Sequence, residues 1–574
     1  MHSSTVIRRL PLLLLALALA PARMAVARPD GAPARAVGSF TRPAAGLYLP
    51  ADVRAAIDVA GEAELLIGLA DGMADDAPLP ALQAAAARVQ AAVLAGYGPD
   101  ELRVVGRYDN LPILHAWASA AGLERLAADP RVASVELVVK VYPLGPALSP
   151  AQRPALMAEA RLTVGADKVF DKWGFDGTGV GVAVLDTGID NDHKDFEGAI
   201  VAQQCFSEGS RSCAPRGLPK SDNAEDEYGH GTGVSGMILG RGVTKGLNEN
   251  NKQVTALGIA PRASLVAVRV FRDNGGAYDP DIVSGLDWVL NKQKEHNIRA
   301  VNMSLGGGAE IGTNCDNSHA TVKAAFGRLV ARSVTVVVAT GNGGNSDRVA
   351  FPACISNAMS VGATYDRTYD GPARLANGGM WCARQTAPDI FTIACFTDRG
   401  RSLDVLAPGL IITHPALGGG IDSGAGTSYA TPIVAGIVAL LAQAKSDLRA
   451  ADIQRLLQDT GRDVTHPESG DILKLVDAFA AVSKVMPALP PTAVPTTAAT
   501  ATATATSRPT NTATATSLAG DTATPNPSFT PPATATARPS VTLTATSRPV
   551  DTATRPAPTS GTETGRIFLP FLER

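Results

Sequence analysis

Apolar positions recur with two different periods along this chain and divide it into two folded stretches. Between about Ala63 and Val139 the order is AELLIGL, PALQAAAARVQAAVL, LRVVGRY, LPILHAW, SAAGLERLAAD and RVASVELVV. The short apolar runs read as strands and the longer Ala- and Leu-rich runs as helices, which gives the βαββαβ order of a small split-βαβ domain. From Val180 to about Ser483 the pattern changes. GVGVAVLD, LVAVRVF, AVNMSLG, VTVVVATGN and AMSVGA are nearly continuous apolar runs, as expected of parallel strands buried on both faces. Between them, DPDIVSGLDWVLNKQKEH places Ile282, Leu286, Val289 and Leu290 on one helical face, and HATVKAAFGRLVARS does so with Val322, Phe326, Leu329 and Val330. Strands alternating with helices predict an α/β fold with an open, mostly parallel sheet, and such sheets bind ligands at the carboxyl ends of their strands.

The ends of the chain follow neither period. Residues 1–27 carry Arg8 and Arg9, an apolar run from Leu10 to Ala20 and small residues up to Ala22 or Ala27. This reads as a secretory signal peptide, with an apolar run too short to span a bilayer as an anchor. Export to an oxidising compartment changes the meaning of the six cysteines, which are then expected to form three disulfides. Neighbours in sequence are the favoured partners: Cys205 with Cys213, Cys315 with Cys354, and Cys382 with Cys395. No cysteine or histidine cluster has metal-ligand spacing, so no metal site is assigned. After about Met486 the chain is dominated by Thr, Ala and Pro, a composition that cannot bury enough apolar surface to fold, and a disordered spacer is expected over 486–565. RIFLPFLER, residues 566–574, then forms a short apolar tag.

The expected domains are therefore 28–150, folded over about 63–140, and a larger unit over 160–485. Between them LGPALSPAQRP is turn-rich, the natural place for a proteolytic cut. A formal net charge of −3 gives no surface for a polyanion, so no nucleic-acid partner is expected.

Four polar side chains stand at positions where such a sheet builds sites. Asp186 ends the run VGVAVLD, and Asn342 ends VVVATGN. His230 lies in YGHGTGVSG, a run of small residues that lets a helix approach its neighbours closely. Ser428 follows Gly426 and Thr427 and opens the strongly helical TPIVAGIVALLAQA, with Pro432 expected in its first turn. Each has a bland alternative, a turn or a structural histidine, but together they supply a nucleophile, a base, an orienting carboxylate and an oxyanion donor.

In these residues the chain resembles the subtilisin-like serine peptidases. The resemblance runs from roughly Gly177 to Val482 and rests on AVLDTGID, GHGTGVSG, VVVATGN and GTSYATPIVAG, in the subtilisin order Asp, His, Ser. It implies Asp186 as orienting carboxylate, His230 as general base and then acid, Ser428 as nucleophile, and Asn342 as oxyanion donor together with the Ser428 backbone N–H. Ser304, Leu305 and Gly306 resemble the edge that pairs with an extended substrate, and Ala350 the floor of the primary specificity pocket, with room for a large apolar side chain. The βαββαβ unit is similar to the family's inhibitory propeptide, which makes the chain a zymogen and the propeptide its intramolecular partner. The cysteine pairs resemble those of a bacterial subgroup. The implied function is a secreted serine endopeptidase acting on proteins or peptides, expected as a monomer, with no cofactor for the chemistry and structural calcium unassigned. Gly233, Tyr429 and Ile433 depart from the family pattern, standing where His, Met and His are usual.

Two other readings compete. Asp186-Thr187-Gly188 and Asp422-Ser423-Gly424 look like the paired elements of an aspartic peptidase, a chemistry that needs two carboxylates sharing a proton. The departures at Gly233, Tyr429 and Ile433 also fit a catalytically silent binding module on a Thr/Pro stalk. The tag is expected to retain the protein at the cell envelope.

Overall fold

The split-βαβ stretch folds as its pattern predicts, with one helix more. Strands Glu62–Leu69, Leu102–Arg107, Ile113–Ser119 and Val132–Leu137 form one sheet, ordered second, third, first, fourth, with every neighbouring pair antiparallel. Helices Leu79–Leu94 and Ala120–Ala128 cross over it, the second capped by Ser119 Oγ, which accepts the Gly122 N–H at 3.3 Å. An additional helix, Ala51–Ala60, precedes the first strand, so the expected start at residue 63 is too late. Only Val53 and Ile57 of that helix are buried, and two apolar residues four apart leave little periodicity to read.

The computed structural model describes residues 47, 49–144, 157–215, 217–247, 253–311, 314–365, 391–465, 470 and 472–487. The signal-peptide region, most of the linker, the Thr/Pro/Ala-rich spacer and the apolar tag lie outside these residues.

Alternation of side chains along the small sheet decides what each face touches. Leu65 and Ile67 pack with the unit's own helices, while Leu66, Leu111 and Ile113 enter a core shared with helices Asp279–Lys292 and Ala320–Val330 of the larger unit.

The larger unit is built on a ten-stranded sheet. Its strands run in the order Arg462–Thr465, Ile472–Leu475, Val405–Pro408, Met359–Thr364, Thr335–Ala339, Ile298–Met303, Gly181–Asp186, Ser264–Arg269, Ile200–Phe206, Lys220–Ser221. All neighbours are parallel except the outermost pair at each edge. Successive residues of the central strand feed opposite cores: Val182 and Val184 pack with helices His230–Leu239 and Thr427–Ala444, Ala183 and Leu185 with helices Asp279–Lys292 and Ala320–Val330. Burial on both sides is why the run reads apolar throughout. Helix Thr427–Ala444 is long and apolar enough to cross a membrane, but its apolar window is 89% buried inside the fold.

Cys205–Cys213 and Cys315–Cys354 are bonded as expected. Cys395 is disulfide-bonded too, whereas Cys382 falls outside the described residues.

A short strand, Lys140–Pro143, leaves the small unit and is held between two strands of the large one. Val141 pairs with Ala277 and Lys140 with Tyr278 on one side; Pro143 pairs with Leu305 and Tyr142 with Gly306 on the other. Both pairings are antiparallel, and the second uses the edge singled out in the sequence.

Candidate active site

Asp186 is the last residue of the central strand and is fully buried. Its Oδ1 accepts from His230 Nδ1 at 2.7 Å and from the Thr187 N–H at 2.7 Å. His230 is the first residue of its helix, and Thr187 Oγ1 accepts the Gly231 N–H at 2.8 Å, tying helix start to strand end. His230 Nε2 stands 3.2 Å from Ser428 Oγ. Because Nδ1 donates to a carboxylate, Nε2 is the nitrogen left to accept a proton. Burial pulls the imidazole pKa down, but the charge and hydrogen bond of Asp186, helped by Asp226, outweigh it and hold the pKa above the ordinary histidine value.

Ser428 is the second residue of helix Thr427–Ala444, preceded by Gly426 at φ 143°, a backbone conformation that side chains disfavour. The nucleophile therefore lies in the first turn, at the positive end of the helix dipole. Pro432 sits inside this helix rather than in its first turn, because the helix begins at Thr427. Proline has no N–H, so the carbonyl of Ser428, four residues earlier, loses its helical partner. Ser304 Oγ supplies the replacement, donating to Ser428 O at 2.8 Å while accepting from Asn302 Nδ2 at 3.0 Å.

Asn342 follows the end of strand Thr335–Ala339. Its Oδ1 accepts from the N–H of Thr427 at 2.9 Å and from Thr427 Oγ1 at 3.0 Å. With the oxygen end so fixed, the amide nitrogen is presented away from Thr427. The turn beyond it is held by Asp398, whose carboxylate accepts from the N–H groups of Gly343 at 3.1 Å and Asn345 at 2.7 Å.

The cleft is occupied by the chain itself. Leu144 follows the paired strand; its N–H donates to Ser304 O at 3.3 Å, and its carbonyl oxygen is met by the Ser428 hydroxyl. A Cβ on Gly306 would stand 2.8 Å from Leu144 Cδ1 and 3.3 Å from the Ala350 Cβ. The leucine side chain thus lies against Gly306, beside the predicted pocket floor.

All eight predicted site residues, Asp186, His230, Ser428, Asn342, Ser304, Leu305, Gly306 and Ala350, gather in this one cleft. Asp422 is placed otherwise: it lies on strand Gly420–Gly424 and accepts the N–H of its neighbour Ser423 at 2.7 Å, while Asp186 is bonded to a histidine, so the two carboxylates share no proton. The sequence also gave no warning of His414. Its ring fills the space above Gly233, where a Cβ would come within 2.6 Å of Nδ1. Tyr429 lies between the two histidines, 5.3 Å from the His414 ring and edge-on to His230 at 5.8 Å. The departures at Gly233 and Tyr429 are accordingly one packing arrangement, and Ile433 is simply core.

A serine hydroxyl, a histidine and a carboxylate in this contact order, at the carboxyl edge of a parallel sheet, define a serine-type endopeptidase. The chain belongs to the Subtilase family, whose model matches residues 177–476. Alkaline elastase YaB of Bacillus sp. strain YaB is 31% identical over 369 residues, 63% of this chain and 78% of that protein. Subtilisin BL of Lederbergia lenta is 32% identical over 287 residues, 50% of this chain and 85% of that protein. Among solved structures, a cold adapted subtilisin-like serine proteinase has 26% identity and a TM-score of 0.39, covering 53% of this chain and 90% of that one.

Proposed function

We propose that this chain is a secreted zymogen whose peptidase unit cleaves its own Leu144–Gly145 bond, and that the released unit then acts on other proteins or peptides. The observation that carries the reading is the contact of Ser428 Oγ with the Leu144 carbonyl, at the end of a strand paired to both sides of the cleft. On this reading the N-terminal unit is the inhibitory propeptide.

His230 Nε2 takes the proton as Ser428 Oγ attacks the Leu144 carbonyl carbon. The oxygen, now negative, is stabilised by Asn342 Nδ2 and the Ser428 N–H. Collapse breaks the bond from the Leu144 carbonyl carbon to the Gly145 nitrogen, and His230 returns its proton to that nitrogen. Water, deprotonated by the same imidazole, hydrolyses the acyl-enzyme ester. Asp186 keeps the tautomer and offsets the imidazolium charge. None of these steps calls for a cofactor. Structural calcium has no assigned ligands, and among the described residues no group of three His, Cys, Asp or Glu side chains is placed to hold a metal.

Leucine in the pocket, after proline, points to substrates with a large apolar residue on the acyl side of the cut. Fluorophosphonate labelling with N-terminal sequencing tests the whole reading. Wild type should be labelled and should begin at Gly145 after maturation; Ser428→Ala should be unlabelled and uncut. A mature N-terminus elsewhere removes the Leu144 assignment, and an unlabelled mature protein removes the peptidase. Retention at the envelope by residues 566–574 is separately testable: equal release into the medium with and without them would dismiss it.

A further inference from the structure

Away from the cleft, a cavity of about 290 Å³ opens between helices Met157–Thr163 and Ala166–Trp173 and the hairpin of strands Arg241–Leu247 and Gln253–Leu257. Three guanidinium groups line it, those of Arg161, Arg241 and Arg262, and none is ion-paired among the described residues. Arg161 is 8% exposed, and its Nη1 donates only to the carbonyls of Gly258 and Ile259. Burial holds its pKa below the ordinary arginine value despite the more distant charges of Asp167 and Asp171. Arg241 donates Nη1 to the Glu197 carbonyl, and its Nε is buried with no partner. Arg262 stands exposed at the mouth with no side-chain hydrogen bond among the described residues.

The one acid in the lining, Asp176, is engaged elsewhere: its Oδ1 accepts from the Thr178 N–H at 3.0 Å, from Thr178 Oγ1 at 2.6 Å and from Gln443 Nε2 at 3.5 Å. Phe170, Leu257 and Pro261 make up the rest of the wall. Arg161 and the Nε of Arg241 are taken out of water without an anion, which is unfavourable, so a concavity that adds Arg262 at its mouth leaves an anion's place open. An inorganic anion would leave the apolar wall unused.

We propose that this cavity is a second binding site, separate from the catalytic cleft, for an organic carboxylate. The anionic head would bridge the three guanidiniums, which bind carboxylates through paired N–H donors, and the apolar body would lie on Phe170, Leu257 and Pro261. A fatty acid and a peptide ending in an apolar residue share this chemistry.

The test uses the full chain as Ser428→Ala, whose cleft stays filled by its own residues 140–144, and isothermal titration with octanoate, N-acetyl-leucine, octanol, N-acetyl-leucinamide and inorganic phosphate. Saturable binding of one carboxylate, absent for its neutral counterpart and weaker for phosphate, is expected. The tighter of octanoate and N-acetyl-leucine identifies the source. Arg241→Gln together with Arg262→Gln should weaken binding by on the order of tenfold or more, because charged hydrogen bonds are lost. Arg161 is left in place because it holds the Gly258 turn. Arg262→Glu alone, at an exposed position whose side chain makes no hydrogen bond among the described residues, should weaken binding as well. No saturable binding, binding indifferent to both sets of variants, or phosphate binding as tightly as either carboxylate would each overturn the proposal.

Discussion

Asn342 is held by Thr427 at its oxygen and open at its amide nitrogen, which makes it a test of transition-state stabilisation. Replacing it with Ala should leave KM for a short peptide nearly unchanged and lower kcat by about 10²–10³, the magnitude measured for a subtilisin that loses one oxyanion donor. An equal rise in KM with kcat preserved would instead assign Asn342 to ground-state binding. Gly233 carries a second test at the same scale. A methyl group there meets the His414 ring at 2.6 Å, and overpacking of this kind costs about 1–3 kcal/mol. Gly233→Ala should therefore lower the unfolding midpoint, and His414→Ala in the same chain should recover part of the loss. Additive losses from the two changes would mean that the rings do not compete for that space.

Helix Thr427–Ala444 shows what was and was not legible in the sequence. Its apolar body, from Thr431 onward, was readable from composition alone. Pro432 was not, because placing it in the second turn requires knowing which residue begins the helix. That single offset creates the demand met by Ser304, a residue otherwise read only as part of a substrate-pairing edge. Ser304→Ala should leave the buried Ser428 carbonyl unpartnered, at about 1–3 kcal/mol of stability, and should slow acylation by loosening the nucleophile. Pro432→Ala, by restoring an N–H to the same carbonyl, should make the Ser304 substitution milder; melting of the four proteins of this cycle would measure the coupling. The strand Lys140–Pro143 was likewise hidden, since its partners are not neighbours in sequence but the two sides of the cleft. The parallel strands were easy for the opposite reason: buried on both faces, they announce themselves as unbroken apolar runs.

At the scale of the molecule, the contact between the two folded units is unusually acidic. Glu136 accepts from Thr321 Oγ1 at 2.7 Å and is fully enclosed, and burial pushes its pKa up to about 7. Asp287 accepts the N–H groups of Asn110 at 2.8 Å and Asp109 at 3.0 Å, with a pKa raised by burial to about 6. Burial also raises the Asp279 carboxyl well above its usual range; it accepts the Val139 N–H at 3.0 Å. His115 lies between Glu64 at 2.9 Å and Glu208 of the larger unit at 3.5 Å. Burial opposes its protonation, but the two carboxylates outweigh it and raise the pKa to about 9.

The hydrogen bond to His115 holds the Glu64 carboxyl below its ordinary value, but Glu136, Asp287, Asp279 and His115 each hold a proton more tightly in the docked state than in water. Their contribution to docking is thus fully present below the ordinary carboxylate and histidine values and is lost as pH rises through about 6 to 9. For the self-cleaved protein still carrying its N-terminal unit, the rate at which activity is released should climb across that interval, and Glu136→Gln should move the rise upward. Release that is flat with pH, or fastest in acid, would contradict this sign.

The strand that fills the cleft is part of the same chain as the serine that faces it. With that strand as first substrate, as proposed, the encounter needs no diffusion, and the local concentration of the peptide is set by geometry alone. Maturation should accordingly be first order, with a half-time that does not change when the precursor is diluted and that added peptide substrates cannot lengthen. On the proposed reading the cleft opens to competition only after the Leu144–Gly145 bond has been cut and the N-terminal unit has left, so a preparation sampled early should look inert towards every outside substrate while already committed to becoming active.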